Sequence, residues 1–413
     1  MQNLTPPTHQ TVYLDHAATT PLDPEVQAVI ERTLADVYAN PGALYTAGRH
    51  AAACLGMARA TVAEVLGVHV DEVVFTGSGT ESVNLAIIGG ARARKEEGRH
   101  IIMSAIEHKA ALASGAQLAQ EGFDVTRVPV AQDGSVSVDA VRDALRSDTV
   151  LVSIMYANNE IGTIQPIADI AAMVRGAQCG TRPPLVHTDA CQACGALPIA
   201  PHTLGVDLLS LNGSKIYGPK GSGLLYVRAG VHIEPLIVGG DQERGLRAGT
   251  ENVALCAGLA HALRASEEAR VHEQARLRSL QEYFFDSLAR CYPRMRINGS
   301  RTNRLPNNVH ITIPSLEGES LVLMLDQAGV AAATGSACSA HDLAPSHVLR
   351  AIGLPDEIIH GSLRFTMGRA TTKADIDYAV SALKDTIAKL ERITAYSFLA
   401  QRAHASNASH TSV

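Results

Sequence analysis

SLNGSKIYGPKGSG, residues 210–223, sets one lysine, Lys215, among small residues directly after an apolar run at 206–209 that reads as a strand end. A second lysine, Lys220, follows in a Gly-Pro-Lys-Gly turn. A lysine amine is a poor nucleophile while it is a solvated ammonium. Packed among small groups near other cations, it loses its proton more readily and can form a Schiff base. Flanking glycines let the backbone approach a bulky planar group closely. Alone, the stretch reads equally well as a surface turn with two solvated lysines, and its neighbours along the chain decide.

Upstream, 72–75 is a buried-strand pattern that runs into Thr76-Gly77-Ser78-Gly79-Thr80-Glu81-Ser82, with a helix expected to open at Val83. Strand, glycine-rich turn and helix start together make an anion site, because free N–H groups and the positive end of the helix dipole converge. The loop is not a dinucleotide fingerprint, since Ser82 stands where the third glycine is needed, and no Gly-Lys-Ser/Thr makes it a P-loop. Strand patterns at 100–104, 123–130, 150–155, 184–189, 206–210 and 223–227 alternate with helical ones. This predicts an α/β fold, a mostly parallel sheet with helices on both faces, whose ligands gather at the carboxyl ends of the strands. His108, Asn159, Asp189 and Lys215 all fall just past strand ends, so one cleft could hold all four.

A helix at 268–290 is expected to cross into a second, smaller domain, with a strand at 308–313, a small-residue segment at 331–340, a strand at 362–366 and a helix at 373–391. The tail beyond Tyr396 reads as frayed. The division expected is 20–267 for the large domain, and 1–19 with 268–413 for the small one.

Composition narrows the classes. The 413 residues are 46% hydrophobic and 18% charged, ordinary for a folded globular chain. A net charge of -6 without a basic run gives no footprint for nucleic acid. No apolar stretch is long enough to span a bilayer and the N-terminus lacks a secretory pattern, so a cytoplasmic location is expected. Seven cysteines are sparse and odd in number, which argues against a disulfide framework. Cys191 and Cys194 have redox-motif spacing, but a place on the wall behind Asp189 favours packing over redox or zinc.

A phosphorylated pyridine cofactor needs a lysine for its aldehyde, a carboxylate for the ring nitrogen, an anion cradle and a flat partner for the ring. Lys215, Asp189, the 77–80 loop and His108 supply one each. Tyr13-Leu14-Asp15, Ala18-Thr19-Thr20-Pro21, Glu107-His108-Lys109, Asn158-Asn159-Glu160, Asp189-Ala190-Gln192, Lys215-Ile216-Tyr217-Gly218-Pro219-Lys220-Gly221, Glu243-Arg244-Gly245 and Gly335-Ser336-Ala337-Cys338 then follow in order. In these motifs the chain resembles the pyridoxal-phosphate-dependent cysteine desulfurases (NifS/IscS-like) of the class V aminotransferase group, PLP fold type I, from about Tyr13 to Glu391.

The resemblance implies a homodimer that converts L-cysteine and an acceptor thiol to L-alanine and a persulfide. It implies that Lys215 carries the cofactor and moves the substrate Cα proton, that His108 stacks on the ring, and that Asp189 pairs with the ring nitrogen. Gln192 and Asn159 would hydrogen-bond the ring oxygen and orient the substrate. Gly79, Thr80, Asn212, Gly213, Ser214 and, from the other subunit, Thr250 would hold the phosphate. Arg364 would grip the substrate carboxylate, and Cys338, on a mobile loop at about 331–345, would take the sulfur and ligate iron–sulfur cargo transiently. The implied acceptor is a protein such as an iron–sulfur scaffold. A selenocysteine lyase or another class V enzyme is the rival. One departure stands out: relatives carry histidine immediately before the lysine, whereas Asn212-Gly213-Ser214 lacks that positive charge, which predicts a weaker phosphate grip.

Overall fold

A computed structural model of the chain describes residues 12–177, 179–180, 182–335 and 345–408, with side chains through 392. The strands in chain order are β1 (Val12–Tyr13), β2 (Val73–Thr76), β3 (His100–Ser104), β4 (Asp124–Val128), β5 (Thr149–Ser153), β6 (Leu185–Asp189), β7 (Leu208–Asn212), β8 (Gly223–Val227), β9 (Arg296–Ile297), β10 (Asn308–Thr312), β11 (Val330–Ala331) and β12 (Ser362–Thr366).

Seven of them form the large sheet in the order β2-β8-β7-β6-β5-β3-β4. Only β8 runs against its neighbours, β2 and β7; every other pairing is parallel. Successive residues of a strand point to opposite faces, and here both faces are dry. Val73, Phe75, Ile102, Val186, Leu209 and Leu224 enter one core. Val74, Ile101, Met103, Leu185, Leu208 and Leu225 enter the other.

The helix after β2 starts at Gly79, a turn earlier than the pattern predicts, because Ser78 caps it: Ser78 Oγ accepts from Glu81 N at 3.1 Å. The glycine-rich turn is thus itself the first turn of the helix. Strand β7 is shifted two residues later than expected and ends at Asn212, which brings the Lys215 turn (Gly213–Lys215) directly onto the strand end.

The connecting helix, Val253–Cys291, is 39 residues long, and begins well before the predicted 268. Its first half lacks an amphipathic stripe, being buried at Val253, Ala254, Cys256, Leu259, Ala260, Ala262 and Leu263 against the large-sheet unit. Its second half carries Phe284, Phe285 and Leu288 into a separate core with Ile311, Leu321, Leu363 and Phe365. That core supports the antiparallel sheet β12-β10-β9 and the parallel pair β1-β11. The last helix runs Lys373–Ala408, through the tail expected to fray. No helix of the described residues is long and apolar enough to cross a membrane.

Candidate active site

At the carboxyl ends of β6 and β7 lies a cavity of about 250 Å³. Ten of the residues predicted for the site line it: Gly79, Thr80, His108, Asn159, Asp189, Gln192, Asn212, Ser214, Lys215 and Arg364. Gly213 sits behind the wall, where a Cβ would lie 2.4 Å from Ser222 Oγ. Thr250 is exposed and away from the cavity of its own chain. Cys338, with 336–344, lies outside the described residues.

Residues 15–20 form a strap across the floor. Lys215 Nζ donates to Ala18 O, Gln192 Nε2 to Ala17 O at 3.0 Å, and Lys220 Nζ to Thr20 O at 3.1 Å. Thr20 N and Oγ1 both donate to Ser214 O, and Thr20 Oγ1 accepts from Tyr217 N at 2.7 Å. A neutral amine both donates and accepts, so an amine held on a carbonyl among buried groups is well placed to act once deprotonated.

Asp189 ends β6, is 7% exposed, and uses Oδ1 to accept from Cys191 N at 2.9 Å. Beneath it, His187 bridges Ser153 Oγ (2.8 Å) and Ser210 Oγ (3.0 Å) across three strands, and burial pushes its imidazole down to about 4. His108 caps the helix Lys109–Gln120, its Nδ1 accepting from Ala110 N at 3.1 Å. Burial lowers its pKa, outweighing the attraction of Asp189. A ring nitrogen that accepts an N–H cannot also carry a proton, so His108 presents a neutral ring with its proton on Nε2.

Glu107 is a site-adjacent residue that motif reading leaves without a role. It is wholly buried; Oε1 accepts from Ser104 Oγ at 2.5 Å and Met155 N at 2.8 Å, while Oε2 has no partner among the described residues. Burial, reinforced by Asp189, pushes its carboxyl up to about 8. Asp15 and Lys220 are likewise new participants; Lys220 lines the cavity and Asp15 pairs with Arg364 at 2.8 Å. Their signal was their place beside the lysine turn and just past the first strand, positions that carry meaning only once the strap is seen to fold back.

The cavity suits a phosphorylated pyridine aldehyde. The N–H groups of Gly79 and Thr80, in the first turn of a capped helix, have no partner among the described residues. A Cβ at Gly79 would stand 2.8 Å from Cys191 Sγ and 2.9 Å from Asn212 Nδ2, so only glycine leaves the cradle open. Asn212 Oδ1 is buried without a partner among the described residues, an acceptor in reserve on the cavity wall. Cys191 and Cys194 are buried thiols, the first pushed well above its ordinary range by burial and Asp189, the second up to about 12 by burial. Such thiols stay protonated and pack as small apolar groups. Among the described residues no group of three or more His, Cys, Asp or Glu could hold a metal ion.

A lysine, a carboxylate, an anion cradle and a flat neutral imidazole at the ends of a mostly parallel sheet define a pyridoxal-phosphate enzyme of fold type I. The family model for class V aminotransferases matches residues 12–379. The cysteine desulfurase IscS of Dictyoglomus turgidum is 45% identical over 385 residues, 93% of this chain and 96% of that protein. IscS of Methanosarcina thermophila is 45% identical, over 94% of each chain. Among solved structures, a NifS-like protein superposes with a TM-score of 0.86 at 34% identity, covering 92% of this chain and all of that one. SspA in complex with cysteine gives 0.75 at 35%, covering 86% and 98%. The chain therefore belongs to the NifS/IscS cysteine desulfurase family of class V aminotransferases. It uses pyridoxal phosphate and turns L-cysteine into L-alanine while its sulfur passes to a persulfide.

Proposed function

We propose that Lys215, Asp189, His108 and Arg364 act together in this cavity, with Cys338 taking the sulfur. The observation that carries this reading is their convergence, apart from Cys338, in one cavity beside the open Gly79 cradle. Bound there, the cofactor supplies an electron sink for the substrate's α-carbon. Gly79, Thr80, Asn212 and Ser214 would hold its phosphate, Asp189 would keep its ring nitrogen protonated, and Gln192 and Asn159 would hydrogen-bond its ring oxygen and orient the substrate. Lys215 Nζ carries the proton taken from and returned to substrate carbon. Arg364 fixes the α-carboxylate with a guanidinium fork. The Cys338 thiolate attacks the substrate sulfur; the S–S bond forms as the C–S bond breaks, and the released electron pair and a proton complete alanine.

The active unit in this reading is a homodimer whose second copy brings Thr250 to the phosphate. Support comes from the exposed apolar side chains Tyr38, Leu44, Tyr45 and Val238, and from the exposure of Thr250 itself. The segment leading to Thr250 is braced: Glu243 and Arg244 take left-handed φ values of 49° and 59°, and Glu243 is gripped by Arg59 at 2.6 Å and by Phe75 N at 2.9 Å. The sulfur acceptor is a protein thiol or iron–sulfur scaffold, with Cys338 as transient ligand of that cargo. The division into 20–267 and 1–19 plus 268–413 fits the two cores on the two halves of the long helix.

The test is to supply L-cysteine under reducing conditions and measure alanine and sulfide, with mass spectrometry for added sulfur on Cys338. Cys338→Ala should lose sulfide release. Retention of most turnover by that variant would point instead to a selenocysteine lyase.

A further inference from the structure

Arg364 lines the cavity yet is only 1% exposed, and its five N–H donors are incompletely used. Nη1 donates to Asn159 O at 2.9 Å and Nη2 to Asp15 Oδ1 at 2.8 Å, while Nε is buried with no partner among the described residues. The guanidinium is therefore aimed, half engaged and already facing a carboxylate. Its cross-strand neighbour His310 adds no charge of its own, because burial and the guanidiniums of Arg304 and Arg364 hold that imidazole neutral. Among the described residues three basic side chains, Lys215, Lys220 and Arg364, and one carboxylate, Asp189, line the cavity; Asp15 stands one layer back, on Arg364.

L-cysteine and L-alanine carry the same α-amine and α-carboxylate. Any strengthening of Arg364 for a carboxylate grips substrate and product equally, which lowers KM without helping chemistry and slows release of alanine. In a water-poor cleft an uncompensated guanidinium binds a carboxylate strongly; one already paired binds a second anion less well. We propose that Asp15 is an affinity-setting and positioning residue. It aims Arg364 at the cavity and, by offsetting part of its charge, keeps the α-carboxylate grip loose enough for L-alanine to leave. This rests on Arg364 being the carboxylate clamp.

Asp15→Asn separates the two roles, because the amide oxygen still accepts from Nη2 while the charge is gone. Calorimetric titration of cofactor-loaded protein with L-alanine should give a Kd about tenfold lower in D15N, with L-alaninamide, which has no carboxylate, unchanged. Steady-state kinetics should show KM and kcat falling together. Asp15→Ser removes the charge and the contact; it should still bind L-alanine more tightly than wild type, but less tightly than D15N because Arg364 loses its aim, and it serves if D15N lowers the melting temperature. Unchanged or weaker L-alanine binding in both variants would overturn the proposal and leave Asp15 a simple strut. Arg364→Ala is the control for the reading underneath: loss of L-alanine binding upholds the clamp, whereas wild-type binding removes the clamp and the proposal with it.

Discussion

Lys215 has a small-residue neighbourhood that the sequence displays openly, and the structure shows the amine held on Ala18 O beside Ser214. Lys215→Ala should leave protein whose cofactor is lost on dialysis and which makes no alanine from cysteine, as absorbance and product assays would show. Ser214 occupies the position where a histidine would add charge to the phosphate cradle. Ser214→His should lower the cofactor dissociation constant several-fold, measured by the rate at which apoenzyme forms in a competing carbonyl trap. Glu107 was not legible in the same way, because a carboxylate's protonation depends on burial that only the fold supplies. Its neutral form is favoured in the native state, with the pKa raised from 4.5 to about 8. The native state therefore binds the extra proton between those values, and stability falls as pH rises through the window. Gln at 107 keeps both bonds to Oε1 without that proton. Relative to wild type, E107Q should gain on the order of 3 kcal/mol in unfolding free energy between pH 5 and pH 8, read from urea melts at each pH. His187 works in the opposite sense. Its pKa is lowered from 6.5 to about 4, so its contribution is complete above 6.5 and is lost as pH falls towards 4.

At the scale of elements, the strand–turn–helix at 73–84 was readable as an anion site because glycine, serine and a buried strand occur together. Its boundary was not, since Ser78 can cap or continue a loop and only the bond to Glu81 N decides. Gly79→Ala should weaken cofactor binding at least about tenfold, since the methyl meets Cys191 Sγ and Asn212 at under 3 Å, and it should lower the melting temperature of apoprotein too, because the crowded wall must shift. A spectroscopic titration of apoenzyme checks the first and a thermal melt the second. The long helix was half read for a related reason: periodicity marks only a helix with a wet face, and Val253–Leu263 is buried on several sides.

At the scale of the molecule, strand and helix alternation was enough to expect a mostly parallel sheet, yet strand order, which brings Asp189 and the Lys215 turn side by side, depends on pairings between distant segments. Subunit association is the remaining level. Sedimentation should find two chains per particle, and Leu44→Asp combined with Tyr45→Ser should yield monomers that lose cofactor more readily, as Thr250→Ala should without dissociation.

The pairing of Val12 with Val330 and of Asp15 with Thr366 has a temporal side. Those partners lie more than three hundred residues further along the chain. A growing polypeptide can lay the strap on Ser214 and Tyr217 before they arrive, but Asp15 meets Arg364 only afterwards. Chains cut short before Arg364 should therefore lack the clamp for free cysteine even where the big sheet has formed.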